Sequence, residues 1–273
     1  MFVRIDHRLT IASTPQIRRE LAAIGVEISV EKGPVTFVVA ETDPRWPAIS
    51  TWCASRKPAD FVSTSFTKSE VLKARWLEVV PARHYGYPQP DDVNPGFEDA
   101  TYDLTDACTT CGAGRRQKAP FQMKGEPRWG RREILQLNWI FDEYFVTPRL
   151  WSSIFEPRGV MCRPVKNRRG VELRTVVQLV VDAVAPVLTT GLPGEPCIAC
   201  GRFKYLPVTR GPFAPLAREP SVPIVRTDQC FGSGASAWNA ILVSKDLAAA
   251  ILSTNVKGII LKPSLDLALL PTE

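Results

Sequence analysis

The pattern C-x-x-C-G occurs twice in this chain, as "CTTCG" at 108–112 and "CIACG" at 197–201. Two cysteines at this spacing can turn both sulfurs toward one tetrahedral metal at about 2.3 Å. The glycine that follows lets a tight knuckle close without a Cβ clash and frees backbone N–H groups to donate to the thiolates. Between Cys111 and Cys197 lie 85 residues. A zinc ribbon separates its pairs by roughly 15–20 residues, so a simple finger is excluded. The spacing suits a domain in which two distant segments each supply half of one site.

Three readings of the four cysteines compete. In one, Cys108, Cys111, Cys197 and Cys200 share a single structural Zn2+ with no open coordination position. In another, each pair is a redox centre, which needs a cysteine at a helix N-terminus where its pKa is lowered. The sequences "CGAG" and "CGRF" lead poorly into a helix. The third reading is buried free thiols behaving as small hydrophobes, which explains neither the doubling nor the glycines. The remaining cysteines, Cys53, Cys162 and Cys230, stand alone. An odd total of seven argues against a disulfide framework.

No apolar run approaches the ~20 residues of a membrane span, and the charged N-terminus lacks the apolar stretch of a signal peptide. A cytoplasmic location is the expectation. At 273 residues, 45% hydrophobic and 23% charged, the chain can bury an ordinary core in one or two domains.

An internal repeat organises the second part. "FVTPRLWSSIFEPRGVMCRPV" (145–165) lines up with "LVSKDLAAAILSTNVKGIILKPS" (242–264). Phe145-Val146-Thr147 matches Leu242-Val243-Ser244, and Leu150 and Ile154 match Leu247 and Ile251. Gly159-Val160 matches Gly258-Ile259, and Arg163-Pro164 matches Lys262-Pro263. The unit is a strand, an N-capping Thr or Ser, a short helix with an apolar i, i+4 pair, a glycine turn and a second strand. Each unit is preceded by its C-x-x-C-G, then a Pro-Phe (120–121, 212–213), then a Trp (Trp139, Trp238). The expected fold class is α+β: a mixed N-terminal α/β region at 1–99, then a duplicated knuckle-β-α-β domain at 100–273. Its repeats fall at about 100–185 and 190–273, joined by the four-cysteine site. In the first region, a strand opens the chain, Thr14-Pro15 starts a helix, and 27–40 reads as a hairpin turning at Lys32-Gly33-Pro34. Asp43-Pro44 and Thr67 open further helices, and 86–99 reads as a linker or long loop.

Charge is uneven. Residues 1–99 hold 12 Lys/Arg against 13 Asp/Glu, whereas 112–170 hold 13 against 5. Arg115, Arg116, Lys118, Arg131 and Arg132, interleaved with Phe121 and Trp129, could track a nucleic-acid backbone and stack on bases. They could equally form a solvated face or meet an acidic protein. His7 and His84, the two histidines, read as core or surface residues. "FGSGAS" (231–236) reads as a turn, lacking the partners of a phosphate loop. Asp91-Asp92 and Asp142-Glu143 are adjacent carboxylates, expected on different faces of any regular element, and no paired-carboxylate catalyst is apparent.

The two knuckles at 108–112 and 197–201, with the ending "SKDLAAAILSTNVKGIILKP", make the chain resemble the bacterial double-CXXCG-motif proteins over roughly residues 100–265. The resemblance implies a small cytoplasmic protein that is not an enzyme. Some members of that family are classed as immunity proteins that neutralise a cognate toxin. A zinc-stabilised immunity protein with a toxin as its partner is therefore the leading expectation. A zinc-ribbon-like nucleic-acid-binding protein using the basic 112–170 region is the alternative, and membrane binding is not expected.

Overall fold

The computed structural model describes residues 4–28, 33–82, 84–91 and 96–267, in two compact units of mixed helix and sheet. Unit 1 comprises Met1–Lys68 with Val208–Pro212, and unit 2 comprises Ser69–Pro207 with Phe213–Glu273. No helix among the described residues is long and apolar enough to cross a membrane.

Unit 1 is built from β1 (Arg4–Ile11), α1 (Pro15–Ala23), β2 (Val35–Ala40), α2 (Trp46–Arg56) and β3 (Ala59–Ser65). The sheet is antiparallel with β1 central, in the order β2-β1-β3. Thr14 caps α1 by accepting from the Ile17 N–H at 3.1 Å, with Pro15 in the first turn where its missing N–H costs nothing. Ile17 and Leu21 of α1, Ile49 and Trp52 of α2, and Leu9 and Val39 of the sheet form the unit's core. The second arm of the expected 27–40 hairpin is β2, which pairs with β1. Residues 29–32, with Lys32 of the expected turn, lie outside the described residues. His7 is buried, with Nδ1 2.9 Å from Asp60 and Nε2 3.0 Å from Glu41.

Unit 2 begins with α3 (Lys68–Lys73) at its junction with unit 1, then β4 (Trp76–Pro81), α4 (Phe97–Thr101) and β5 (Tyr102–Asp103). Next come β6 (Arg116–Gln117), β7 (Gln122–Met123), β8 (Ile134–Leu135), β9 (Phe145–Val146), α5 (Pro148–Leu150), β10 (Cys162–Asn167) and β11 (Glu172–Leu179). The last part holds β12 (Val184–Ala185), β13 (Gly194–Pro196), β14 (Phe203–Tyr205), β15 (Ile224–Phe231), β16 (Trp238–Ser244), α6 (Lys245–Ser253) and β17 (Ile259–Pro263). A π turn (Trp151–Phe155) and a 3-10 turn (Glu156–Arg158) extend α5 as far as Gly159. The sequence-read units are therefore present as elements: β9–α5–β10 and β16–α6–β17. Thr147 and Ser244 cap their helices, and Gly159 and Gly258 sit at positive φ before the second strand.

The two larger sheets run β7-β10-β11-β9-β8 and β13-β14-β15-β16-β4-β17. In both, an antiparallel strand separates the two strands of the β-α-β unit. Phe145 of β9 pairs with Gln178 of β11, which pairs with Arg163 of β10. Leu242 of β16 likewise pairs with Glu78 of β4, which pairs with Lys262 of β17. The next rung repeats the match: Val146–Val177–Pro164 beside Val243–Leu77–Pro263. Leu150, Ile154, Leu247 and Ile251 all enter one core cluster with Leu77, Val146 and Val243. Full burial of such a side chain contributes about 1.5–3 kcal/mol.

The division of the chain differs from the boundary expected at 99. Trp76–Pro81 completes the second sheet of unit 2, a long-range pairing that no local signal announces. The 86–99 stretch also belongs to unit 2. The N–H of Tyr85 donates to Gln136 O and that of Gln89 to Gln122 O, each at 2.8 Å. Its residues 92–95, including Asp92, lie outside the described residues.

Candidate metal centre

The knuckles close identically. In the first, the Gly112 N–H donates to Cys108 O at 2.7 Å and the Cys108 N–H to Ala113 O at 2.9 Å. In the second, the Gly201 N–H donates to Cys197 O at 2.8 Å and the Cys197 N–H to Arg202 O at 2.9 Å. Gly112 and Gly201 have φ of +77° and +72°, the left-handed region in which a side chain is strained. At Gly112 space is also exhausted, since a Cβ would come 2.2 Å from Ala235 O. At Gly201 nothing stands within 4 Å. The carbonyl facing Gly112 belongs to the "FGSGAS" turn, which lies against the first knuckle.

Chain folding brings the four sulfurs together within 4.8 Å of one another. Cys108 and Cys197 sulfurs are 3.8 Å apart, and Cys111 and Cys200 sulfurs 3.7 Å apart. A regular tetrahedron with metal–sulfur bonds of about 2.3 Å has edges of about 3.8 Å. The same distances are far beyond a disulfide bond. The four residues fit one tetrahedral thiophilic ion, and as a closed four-ligand set they leave no position for substrate.

Backbone dipoles prepare two of the thiolates. The N–H groups of Cys111 and Thr110 point at Cys108 and hold its thiol down at about 6. The N–H groups of Ala199 and Cys200 lower Cys197 in the same way. Burial pushes Cys111 up to about 12, a cost that a bound cation reverses by stabilising the thiolate. Neither knuckle leads into a helix; β6 follows one and β14 the other. The helix N-terminus that activates a redox C-x-x-C is therefore missing.

Two side chains that follow the second knuckle lock onto the first. Arg202 donates to Asp106 O at 2.7 Å and Ala113 O at 3.0 Å. The Lys204 ammonium, buried, donates to Cys111 O at 3.3 Å, Gly234 O at 2.5 Å and Ser236 O at 3.2 Å. Both cations lie in the "RFKY" run directly after "CIACG". That run is the one sequence signal for them. Cys230 also packs against the buried cluster of Cys111, Ala113 and Ala237, without joining the ligand group.

The basic residues are dispersed. Arg115 is only 15% exposed along its side chain, paired with Glu98 at 2.7 Å and set over the Tyr102 ring. Arg116 is exposed and 3.3 Å from Asp106, Lys118 and Arg131 are exposed, and Arg132 is half-buried. Phe121, expected as a stacking surface, is fully buried in a core with Trp129 packed against it. The expectation that Asp142 and Glu143 face apart holds for a regular element, and these two are not in one. They sit in an irregular bend and both line a polar cavity of about 220 Å3 with Arg115 and Arg226. Burial raises both, Glu143 to about 7. Glu143 accepts from Gln178 at 2.8 Å and from Arg226 at 3.2 Å. His84 is half-buried, and its Nε2 is shielded from solvent without a hydrogen-bond partner.

No family model and no curated protein matches the chain.

Proposed function

We propose that this chain is a zinc-stabilised binding protein without catalytic activity, of the immunity type, whose cognate partner is a toxin protein. The observation that carries the reading is the closed four-thiol cluster. An ion with four protein ligands holds structure together and offers no site for chemistry. In this reading the zinc clamps two copies of one ancestral unit. The matched registers about Gln178 and Glu78, the paired caps and the two identical knuckle closures support a duplication. The choice of a toxin as partner rests on the resemblance of the two C-x-x-C-G knuckles to the immunity-containing family.

Replacing Cys108 or Cys200 by Ser is expected to abolish zinc retention and to lower the stability of unit 2 by several kcal/mol, since structural zinc supplies folding free energy. A toxin encoded beside this protein's gene should bind it tightly and with little dependence on salt. Affinity for DNA or RNA that falls steeply with salt and is lost when Arg116, Lys118 and Arg131 are neutralised would favour the nucleic-acid alternative instead.

A further inference from the structure

A cavity of about 700 Å3 lies against β7 in unit 2, walled by Tyr85, Tyr87, Met123, Leu137 and Trp139. Its aromatic rim is exposed to an unusual degree, with Tyr87 at 51% and Trp139 at 47%. Their rings meet at 4.6 Å, and Trp139 also stacks on Phe97 at 6.3 Å. Trp139 has φ +67°, a conformation that costs a bulky residue about 1 kcal/mol or more and that persists where the surroundings enforce it. The indole stands half in solvent. The turn presenting Tyr87 is fixed in turn: Asn138 donates to Gly86 O from its N–H at 2.9 Å and from its side-chain amide at 2.7 Å.

The two carboxylates of the lining are engaged, while Gln89 Oε1 is buried without a hydrogen-bond partner. Glu126 accepts from the N–H groups of Arg174 at 2.7 Å and Thr175 at 3.1 Å, and Asp91 accepts from Gln89 at 2.7 Å and pairs with Arg168 at 3.3 Å. The donors are open: among the described residues, the Trp139 indole N–H, the Tyr87 hydroxyl and the Lys124 ammonium have no hydrogen-bond partner. A ligand that suits the groove therefore brings apolar rings for the aromatic walls and unpaired acceptors for the donors.

We propose that the Tyr87–Trp139 groove binds a proline-rich extended segment of a partner protein. A polyproline II strand carries no N–H at its prolines, leaves its carbonyls unpaired and packs its rings on aromatic ridges. Its ordering is already complete, which reduces the entropic cost of docking. A single-stranded nucleic acid shares the stacking chemistry, but its phosphates would meet the Asp91 and Glu126 carboxylates with Lys124 as the one cation of the lining. The proposal rests on the reading of this chain as a protein-binding module and adds where and what it binds.

The test is titration of the full chain with a blocked ten-residue proline peptide, followed by tryptophan fluorescence and calorimetry, with a ten-residue Gly/Ser peptide and a thymidine decamer as comparisons. Zinc content is measured on the same samples. The proline peptide alone is expected to bind. Trp139→Gly, which removes the indole and relieves the left-handed backbone, and Tyr87→Ala should each weaken it at least about tenfold, as aromatic anchors do. Tyr87→Phe should weaken it less. Absence of peptide binding, binding untouched by Trp139→Gly, or binding of the decamer instead would overturn the proposal. Zinc-loaded protein that ignores the peptide would sink the groove and leave the clamp intact; peptide binding by protein that never holds zinc would do the reverse.

Discussion

The two β-α-β sheets of unit 2 share a register and differ in what they bury at its centre. On the rung Phe145–Gln178–Arg163 the central residue is an amide, bonded to Gln117 and Glu143. On the rung Leu242–Glu78–Lys262 it is a carboxyl, 3.5 Å from the Lys262 ammonium. Their knuckles differ too. Cys111 is buried beneath the 231–236 turn, while Cys200 is exposed and Ile198 beside it is 98% exposed. One geometry is therefore held in two environments, and the environment, not the motif, should set the response to mutation.

The largest contrast is expected between the two knuckle glycines. Gly112→Ala adds a methyl 2.2 Å from Ala235 O on a backbone at positive φ. It should cost about 3 kcal/mol or more, combining backbone strain with overpacking. Gly201→Ala meets open space and should cost only the conformational part, about 1–2 kcal/mol. Urea unfolding of the two variants measures both, and equal losses would dissolve the asymmetry.

The central rungs offer a smaller contrast, in pH. Burial raises Glu78 from 4.5 to about 7, against the pull of Lys262. A carboxyl raised in the folded state keeps its proton there and loses it on unfolding. Its contribution is therefore full below pH 4.5 and is lost as pH climbs through about 7. The parent protein should lose about 3 kcal/mol of stability across that window from this group. Glu78→Gln, which copies the amide of the other sheet, should reduce the slope in that window by about half, Glu143 supplying the remainder; Gln178→Glu should steepen it. A profile unchanged by Glu78→Gln would show that the carboxyl titrates as it does in water.

Least affected should be Ile198. With almost its whole side chain in solvent, Ile198→Ala should change stability by less than about 0.5 kcal/mol, although it sits inside the C-x-x-C pair.

The sequence made the knuckles and the strand–helix–strand units readable because each is local: a spacing, a cap, an i, i+4 pair, a glycine. Thr147, Ser244, Gly159 and Gly258 all fall where their chemistry placed them. What it did not reveal is long-range. Trp76–Pro81 looks like any apolar strand, and only tertiary pairing assigns it between β16 and β17, far from the region in which its neighbours were found. Lys204 reads as one more surface lysine until three carbonyls converge on it. Adjacent carboxylates face apart only in a regular element, and the bend at 141–143 takes Asp142 and Glu143 out of one. At the metal centre the four ligands are legible, and their sharing of one ion follows from the C-x-x-C spacing, the glycines and the repeat. The cations that tie the knuckles together are not legible, since a hydrogen bond from side chain to distant carbonyl leaves no periodic trace.

The clamp requires one ion joining residues 108–111 to 197–200. Native mass spectrometry of the intact chain, before and after a strong chelator, tests this most directly. One zinc per chain is expected, absent from Cys108→Ser, with chelation lowering the unfolding midpoint of unit 2. A parent protein that carries no metal and whose unfolding is indifferent to the chelator would contradict the clamp.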